Sequence, residues 1–392
     1  MKKLIVWLLC VAMVLSLCAC GQAGEETPAA EEVPAEETPA AEETPADASG
    51  EDTMAAYEEA MKRYEEAIAT LNSKLAAFEA DSVVMTVDGQ EITWDIYFYM
   101  LANAISEYVN QMGVLPEDFS MPLTEEVTLG GAFRINAENY LRYYAATAVR
   151  AAEQGISVKP EVETELEEAW TSLCEELGGE EELLKKGITK NSILYYARVD
   201  SLCEELANGI YGDGSSITNA DAELWAEKNN MVRAKHILLL TQGASDEEKE
   251  EIRGQMEDIL AELQGLVGDN EALEKRFTEI MLEKSEDTGL AVFPEGYVFG
   301  TGEMVAPFEE AAFALEPYGL SELVETDYGY HILLKLPMDV SVTVEFDGEK
   351  ITQLWAWVAE GLFAEERAKW ADEAEVVYSD AFADFTVEGL FA

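Results

Sequence analysis

The chain has 392 residues, of which 48% are hydrophobic, and it carries 25 basic against 80 acidic side chains. This length and apolar content indicate two or three folded domains with packed cores. So acidic a surface repels phosphate backbones and anionic lipid headgroups, which argues against nucleic-acid partners. Of five cysteines, only Cys174 and Cys203 lie in the part expected to fold, as buried free thiols or as one bridge.

The N-terminus has the pattern of an export signal. Lys2 and Lys3 precede a run over residues 4–19 that is apolar except for Ser16, and this run is shorter than the roughly 20 residues that span a bilayer core. The LCAC that ends in Cys20 resembles a bacterial lipobox, which implies cleavage before this cysteine and a diacylglycerol on its thiol. The alternative is an ordinary secretory signal. We expect a signal peptide over residues 1–19 and lipid anchoring at the outer face of the bacterial cytoplasmic membrane.

Two segments of biased composition follow the signal. Residues 20–50 contain the low-complexity run EETPAAEEVPAEETPAAEETPA, which cannot bury a core and predicts a disordered acidic tether. Residues 51–80 carry apolar side chains spaced by three and four positions from Tyr57 to Phe78, which predicts an amphipathic helix. This helix is either a coiled coil of about three heptads that would support a homodimer, or a helix that packs on its own domain.

The two segments that flank the middle of the chain are predicted to be mainly helical. Near the start of residues 81–230, the stretch VVMTVDGQEITWDIYFYM (83–100) predicts a strand, an Asp-Gly turn and a helix capped by Thr93. Residues 338–392 repeat this layout in VTVEFDGEKITQLWAWVAEGLF, with Thr352 as the cap. The shared D-G-x-x-I-T pattern is either common turn-and-cap chemistry or the trace of a duplication.

The only two histidines of the chain lie between these flanks, in residues 231–337. His236 and His331 each begin a His-Ile-Leu tripeptide that enters an apolar run short enough to be a buried strand. Between the two strands the sequence predicts an acidic helix (SDEEKEEIRGQMEDILAELQGL), a second helix (NEALEKRFTEIMLEKS), a glycine-rich stretch (FPEGYVFGTGEM) and a third helix (APFEEAAFAL). This order favours a compact α+β module whose terminal strands pair, so that the histidines can meet side by side.

Such a histidine pair has three interpretations when the residues are considered alone. It can bind a metal, although no cysteine cluster or third histidine accompanies it, and we therefore predict no metal. It can be a hydrogen-bonded structural pair. It can also form the floor of a catalytic site.

Four separated motifs carry a resemblance to the parvulins, a family of peptidyl-prolyl cis-trans isomerases. AKHILL, KSEDT, GEMVAPFEEAAFAL and ETDYGYHILLKL occur in the order and spacing of that family. With the lipobox, the tether and the helical flanks, the whole chain resembles the PrsA family of foldase lipoproteins. The resemblance implies a parvulin module over residues 231–337, an antiparallel sheet with surrounding helices, inserted in a mainly helical SurA-like chaperone domain built from residues 81–230 and 338–392.

The resemblance also implies which residues form the catalytic centre. The two family histidines fall on His236 and His331, and the hydroxyl that orients them falls on Thr326. The position that the family fills with Cys or Asp falls on Asp287. That carboxylate is expected at the mouth of the site, near the prolyl carbonyl, where it contributes little to packing.

The pocket for the proline ring is implied at Met304 and Phe308. The chain departs from the family beside this pocket. The family's Gly-Gly-Asp-Leu-Gly segment is replaced by PEGYVF at residues 294–299, so the wall that the leucine would supply is assigned to Tyr297 or Phe299.

The implied function is that of a membrane-anchored foldase, which isomerises X-Pro bonds in unfolded or newly secreted proteins. Rotation about such a bond breaks no covalent bond, so no cofactor is expected. Selectivity for phosphorylated substrates would need a basic cluster, whereas the sequence after the first strand, TQGASDEEKEE, is acidic. The competing hypothesis is a holdase chaperone whose module binds peptide without turnover. A solute-binding lipoprotein would need two α/β lobes, which the helical flanks do not suggest.

Overall fold

The computed structural model describes residues 79–112, 116, 118–185, 187–346 and 350–391. The predicted signal peptide, Cys20, the acidic tether and the predicted helix up to Phe78 lie outside these residues. The described chain forms two compact units, one of residues 79–206 with 367–391 and one of residues 207–366. Among the helices of this described part, none combines the length and apolar character needed to cross a bilayer.

Helices and short strands follow one another along the described residues. The α-helices are α1 (Trp94–Met112), α2 (Leu129–Glu153), α3 (Pro160–Glu176), α4 (Glu180–Lys185), α5 (Lys190–Tyr211), α6 (Asn219–Lys228), α7 (Asp246–Gln264), α8 (Asn270–Lys284), α9 (Ala306–Ala314), α10 (Leu354–Glu373), α11 (Asp380–Ala383) and α12 (Val387–Phe391). The strands are β1 (Val83–Val87), β2 (Gln90–Thr93), β3 (Val232–Leu240), β4 (Tyr297–Phe299), β5 (Val324–Glu325), β6 (Gly329–Leu336), β7 (Thr343–Phe346), β8 (Lys350–Gln353) and β9 (Val376–Tyr378). A 3₁₀ helix spans Thr288–Ala291.

The first unit is mainly helical and contains one small antiparallel sheet. Its strand order is β2-β1-β9, so a strand near the C-terminus completes a sheet begun near the N-terminus. Trp94 and Tyr97 of α1 pack against the ring of Phe382 in α11, with ring centroids 6.3 and 4.7 Å away. Both ends of the described chain therefore contribute to one core.

The two predicted strand-turn-helix segments contain one strand more than expected. In each, a second strand (β2 or β8) pairs with the first before the helix begins. Thr93 directly precedes α1, and its hydroxyl bonds to the Asp95 carboxylate at 2.5 Å. Thr352, by contrast, pairs with Val344 inside β8, and α10 begins only at Leu354. The predicted cap at Thr352 is wrong because its backbone is extended and belongs to the hairpin.

The second unit contains a four-stranded antiparallel sheet in the order β4-β3-β6-β5. Ile237 and Ile332 lie on the face that packs against α7 and α8. Val232 and Leu333 lie on the opposite face, in a cluster with Phe308 of α9. The α+β class, the pairing of the terminal strands and the three helices between them are confirmed. The short strands β4 and β5 were not predicted.

The register between β3 and β6 places the two histidines. His236 lies opposite Leu333, and His331 lies opposite Leu238. Residues opposite each other, and residues two apart in one strand, share a face of the sheet. The two imidazoles are therefore diagonal neighbours on the face that also packs against α9. A slip of one residue would send one of them to the other face.

The second unit also contains residues outside the predicted module boundaries at 231 and 337. Helix α6, the β7–β8 hairpin and the first part of α10 share a cluster that includes Trp225, Val344 and Leu354. The compact unit consequently runs from residue 207 to residue 366.

Candidate active site

The predicted catalytic residues come together on one face of the β3–β6 pair. His236 and His331 project from these central strands, and Thr326 follows β5. Asp287 lies between α8 and the 3₁₀ helix, where its side chain caps that helix. Tyr297, predicted as a wall residue, reaches the same cluster from β4.

The turn after α8 reaches the histidines because it bonds to the C-terminal half of β3, which extends beyond the residues paired with β4. The Leu238 amide donates to Ser285 Oγ at 3.1 Å, and the Glu286 amide donates to the Leu238 carbonyl at 2.8 Å. The Leu240 amide donates to the Glu286 carboxylate at 2.7 Å. These bonds fix the backbone on the N-terminal side of Asp287 alongside the strand that carries His236.

A chain of hydrogen bonds joins the side chains of the site. Thr326 Oγ1 lies 2.8 Å from His331 Nε2, and His331 Nδ1 lies 3.3 Å from His236 Nδ1. His236 Nε2 lies 3.0 Å from Asp287 Oδ2. The Tyr297 hydroxyl donates to the same Oδ2 at 2.7 Å. All four ring nitrogens therefore have a partner, which leaves neither imidazole a free lone pair for a metal.

In a neutral histidine pair, these contacts allow one order of protons. The ionised Asp287 can only accept, so His236 Nε2 carries the proton and its Nδ1 is a lone pair. His331 Nδ1 must then donate to His236, which leaves His331 Nε2 to accept from the Thr326 hydroxyl. The Thr326 oxygen in turn accepts from the Tyr328 amide at 3.2 Å. Each proton thus points along the chain toward Asp287.

Burial and hydrogen bonding set the charges of the site. Burial, helped by the neighbouring His236, lowers the pKa of His331 to about 4 against the opposing effect of Asp287. Burial would raise the pKa of Asp287, but hydrogen bonds from His236, Tyr297 and the Gly289 amide outweigh it and lower this pKa to about 2. Burial and the adjacent Asp287 raise the pKa of Tyr297 well above its usual value. At neutral pH, His331 is uncharged, Asp287 is ionised and Tyr297 keeps its proton.

Asp287 is held more firmly than the resemblance implied. Its side chain is only 15% exposed. Oδ1 accepts from the Gly289 amide at 3.0 Å, while Oδ2 accepts from His236 and Tyr297. The expectation of a loosely packed carboxylate at the mouth of the site is wrong, because an aspartate readily bonds to the backbone two residues on and so closes its own turn.

Apolar side chains lie beside the histidines. The ring of Phe308 is almost fully buried and meets His236 and His331 edge-on, with centroids 5.1 and 5.5 Å away. Met304 is partly buried against the same cluster. The structure therefore places Phe308 next to the imidazole pair, and Met304 against the apolar cluster that contains Phe308.

The two wall candidates occupy different positions. Phe299 is 1% exposed and packs against Phe308 at 5.7 Å and Phe313 at 6.2 Å, so it supports the pocket from within the core. It is not a wall, because its ring is enclosed by its neighbours in the core. Tyr297 is partly buried, and its ring meets that of His236 edge-on at 5.6 Å.

Gly289 and Phe293 also position the site, although neither was predicted from the sequence. Gly289 supplies the amide that holds Asp287 Oδ1, and Phe293 packs against the Tyr297 ring at 5.1 Å. The signal for Gly289 was present in Asp-Thr-Gly, an aspartate followed two residues later by a glycine. Phe293 had no such signal, because it lies in an irregular stretch without periodicity.

Comparisons with known proteins point to one domain type. The family model described as Rotamase, the PPIC-type PPIase domain, matches residues 236–336. The foldase protein PrsA of Oceanobacillus iheyensis is 34% identical over 184 residues, which are 46% of this chain and 50% of that protein. The chain therefore spans half the length of this curated relative.

Two further matches differ in coverage. The peptidyl-prolyl cis-trans isomerase Pin1 of Malus domestica is 33% identical over 111 residues, which are 26% of this chain and 92% of that protein. Among solved structures, PrsA from Bacillus subtilis is 19% identical, covers 66% of this chain and 93% of its own, and has a TM-score of 0.22.

Proposed function

We propose that this chain, which belongs to the PPIC-type or parvulin family of peptidyl-prolyl cis-trans isomerases, is a foldase that isomerises X-Pro bonds in unfolded or newly secreted proteins. One observation carries the proposal. The hydrogen-bonded chain from Thr326 through His331 and His236 to Asp287 lies against the apolar ring of Phe308. This combination offers a proline ring an apolar partner and gives its amide polar neighbours whose hydrogen bonds are already made to one another.

The reaction requires rotation about a bond with partial double-bond character. Its barrier is about 18–20 kcal/mol, and uncatalysed X-Pro exchange takes tens to hundreds of seconds. The planar amide carries separated charge, which water stabilises by donating to the carbonyl oxygen, whereas the twisted amide has lost most of this charge. A site that excludes water and offers that oxygen no strong donor therefore favours the twisted form over the planar one.

The polar groups of this site satisfy one another. In the neutral pair, His331 donates to His236, and His236 donates to Asp287. The Tyr297 hydroxyl also donates to Asp287. No imidazole proton is left over for the planar carbonyl, while Phe308 can hold the proline ring by apolar contact. No covalent bond breaks, so none of these groups needs to act as a nucleophile or to take up a proton.

The proposed location is the outer face of the bacterial cytoplasmic membrane. Support comes from the sequence, in which the lipobox-like LCAC ends at Cys20 and an acidic, proline-rich tether follows to residue 50. The formal charge of −55 opposes adsorption to anionic lipid, so a lipid on Cys20 would supply the attachment. The tether would hold the folded units away from the membrane surface.

A protease-coupled assay with X-Pro peptides tests the proposal on the purified protein. Phe308→Ala removes the ring that contacts both imidazoles, and we expect a loss of turnover of at least about tenfold, the equivalent of roughly 1.4 kcal/mol. Phe313→Ala is the matched control, because it removes the same side chain from the same helix, where its contact is with Phe299. It should keep most of the turnover.

The holdase alternative gives a different result in this assay. It predicts no turnover by the wild type, together with binding of proline peptides that Phe308→Ala abolishes. A wild-type protein that neither turns over nor binds such peptides would refute both functions.

A further inference from the structure

The Tyr297 hydroxyl occupies a space that only a glycine at position 289 leaves open. A Cβ added to Gly289 would lie 1.9 Å from the Tyr297 hydroxyl oxygen and 3.5 Å from Asp287 Oδ1. The backbone of Gly289 does not adopt the left-handed conformation, so a side chain is excluded by lack of space. The tyrosine hydroxyl and the glycine at 289 therefore depend on each other.

The same hydroxyl shares one oxygen of Asp287 with a histidine. It donates to Oδ2 at 2.7 Å, and His236 Nε2 lies 3.0 Å from the same atom. The Gly289 amide holds the other oxygen at 3.0 Å. The carboxylate is thus fixed by three donors, and its charge is divided between a phenol and an imidazole.

We propose that Tyr297 is a positioning residue, which fixes Asp287 and takes up part of its negative charge so that the His236–His331 pair stays neutral at the working pH. This inference rests on the proposed function, since that mechanism needs imidazoles without a surplus proton. The reason is electrostatic. The phenol's hydrogen bond stabilises the negative charge of Asp287 and so weakens its attraction for a further proton on His236. Without the phenol, the carboxylate would favour the protonated imidazole more strongly.

The groups that face one another in this cluster come from each neighbouring strand or turn. The titratable ones are His236 of β3, His331 of β6, Tyr297 of β4 and Asp287 after α8. Helix α9 contributes the uncharged ring of Phe308. Asp287 is therefore the anion that acts on the pair, and Tyr297 is the donor that shares it with His236.

The first test is a pH titration of the imidazole proton and nitrogen signals by NMR, on the full chain. The protein has only two histidines, so both signals can be assigned with one histidine variant. Tyr297→Phe keeps the ring and its contacts but removes the hydroxyl. We expect the pH at which the pair takes up its first proton to rise by about one unit, because without the phenol more of the carboxylate's negative charge acts on the imidazole.

Tyr330→Phe is the matched control for this titration. Tyr330 lies next to His331 in β6, but its side chain belongs to the core on the opposite face of the sheet. It should leave the histidine titration unchanged. If Tyr297→Phe also leaves it unchanged, or lowers the midpoint, the proposal is overturned and Tyr297 is only a wall of the pocket.

The second test uses Gly289→Ala in two backgrounds. In the wild type the new methyl group meets the hydroxyl, so we expect at least a tenfold loss of isomerase turnover and a lower melting temperature. With Tyr297→Phe the nearest ring atom is 3.1 Å away, a contact that a small shift can relieve. In that background, Gly289→Ala should reduce turnover and the melting temperature much less. Equal costs in both backgrounds would overturn the proposed placement of the hydroxyl.

The two tests separate this inference from the proposed function. If the wild type shows no isomerase turnover but the histidines of Tyr297→Phe and Tyr330→Phe titrate as expected, the function is refuted and the charge sharing is supported. If the wild type shows turnover and Tyr297→Phe leaves the histidine titration unchanged, the function is supported and the inference is overturned.

Discussion

Acid should destabilise the second unit through the burial of one imidazole. His331 is 3% exposed, and its pKa in the folded protein is about 4, against 6.5 for an ordinary histidine. Between these two values the unfolded chain binds a proton that the folded chain does not. Stability from this group is therefore complete above pH 6.5 and is lost as the pH falls toward 4. Linkage gives a loss of about 2 kcal/mol between pH 8 and pH 5.

Urea titrations at pH 8, 6 and 5 would measure this loss, with hydrogen exchange of the β3 and β6 amides as the readout that isolates the second unit. His331→Gln is the control, because glutamine is similar in size and does not titrate. We expect the variant to be less stable than the wild type at pH 8, since it disrupts the chain of hydrogen bonds. The difference in free energy of unfolding between the two proteins should narrow by about 2 kcal/mol from pH 8 to pH 5. Carboxylates that titrate in both proteins affect them equally and so do not contribute to this difference.

A constant difference between wild type and His331→Gln across this pH range would refute the reasoning. It would mean that His331 accepts a proton in the folded protein as easily as in the unfolded chain. The imidazole would then be accessible to water, in conflict with its burial between β3, β5 and α9.

Three further outcomes follow from the described site and from the sequence before it. Asp287→Ala should lower both turnover and the melting temperature of the second unit, because partly buried donors lose their acceptor at a cost of about 1–3 kcal/mol. The control Asp327→Ala, at an exposed position, should change neither quantity in a thermal melt and the peptide assay. Cys20→Ala should release the protein from membranes or stall its processing in cell fractionation, and unchanged retention would contradict lipidation. Deleting residues 51–80 should change the mass in solution, measured by light scattering, or lower the melting temperature; if neither changes, the predicted amphipathic helix contributes to neither self-association nor stability.

The sequence was sufficient for those parts of the fold that depend on long periodic or apolar segments. The runs that follow His236 and His331 are strongly hydrophobic, and they form the paired central strands that such runs favour. The helices α7, α8 and α9 also lie where the sequence predicts them. By contrast, β4 and β5 have three and two residues, too few for an alternating pattern to be visible, and their pairing depends on tertiary contacts.

The site was predicted as a set of residues, but its bonding pattern was not. The family motifs placed Asp287 among the functional residues, yet its bonds to Gly289 and Tyr297 depend on how an irregular loop folds over β3. Tyr297 and Phe299 were equivalent in sequence, although they are two residues apart and differ in burial. Both share one face of β4, yet Phe299 packs among Phe308 and Phe313 while the Tyr297 hydroxyl reaches Asp287, a difference that periodicity alone cannot reveal.

The pairing of β3 with β6 has a kinetic consequence for the protein itself. Closing the loop of about 90 residues between these strands costs roughly 4 kcal/mol of chain entropy before any ladder bond forms. Helices α7 and α8 rest on local contacts and can form first, so the strand pair should close late. The imidazoles meet only when that closure is complete and in register. Catalytic competence would thus appear as one of the last events on the folding pathway, and regain of turnover after dilution from denaturant would time the closure of the sheet.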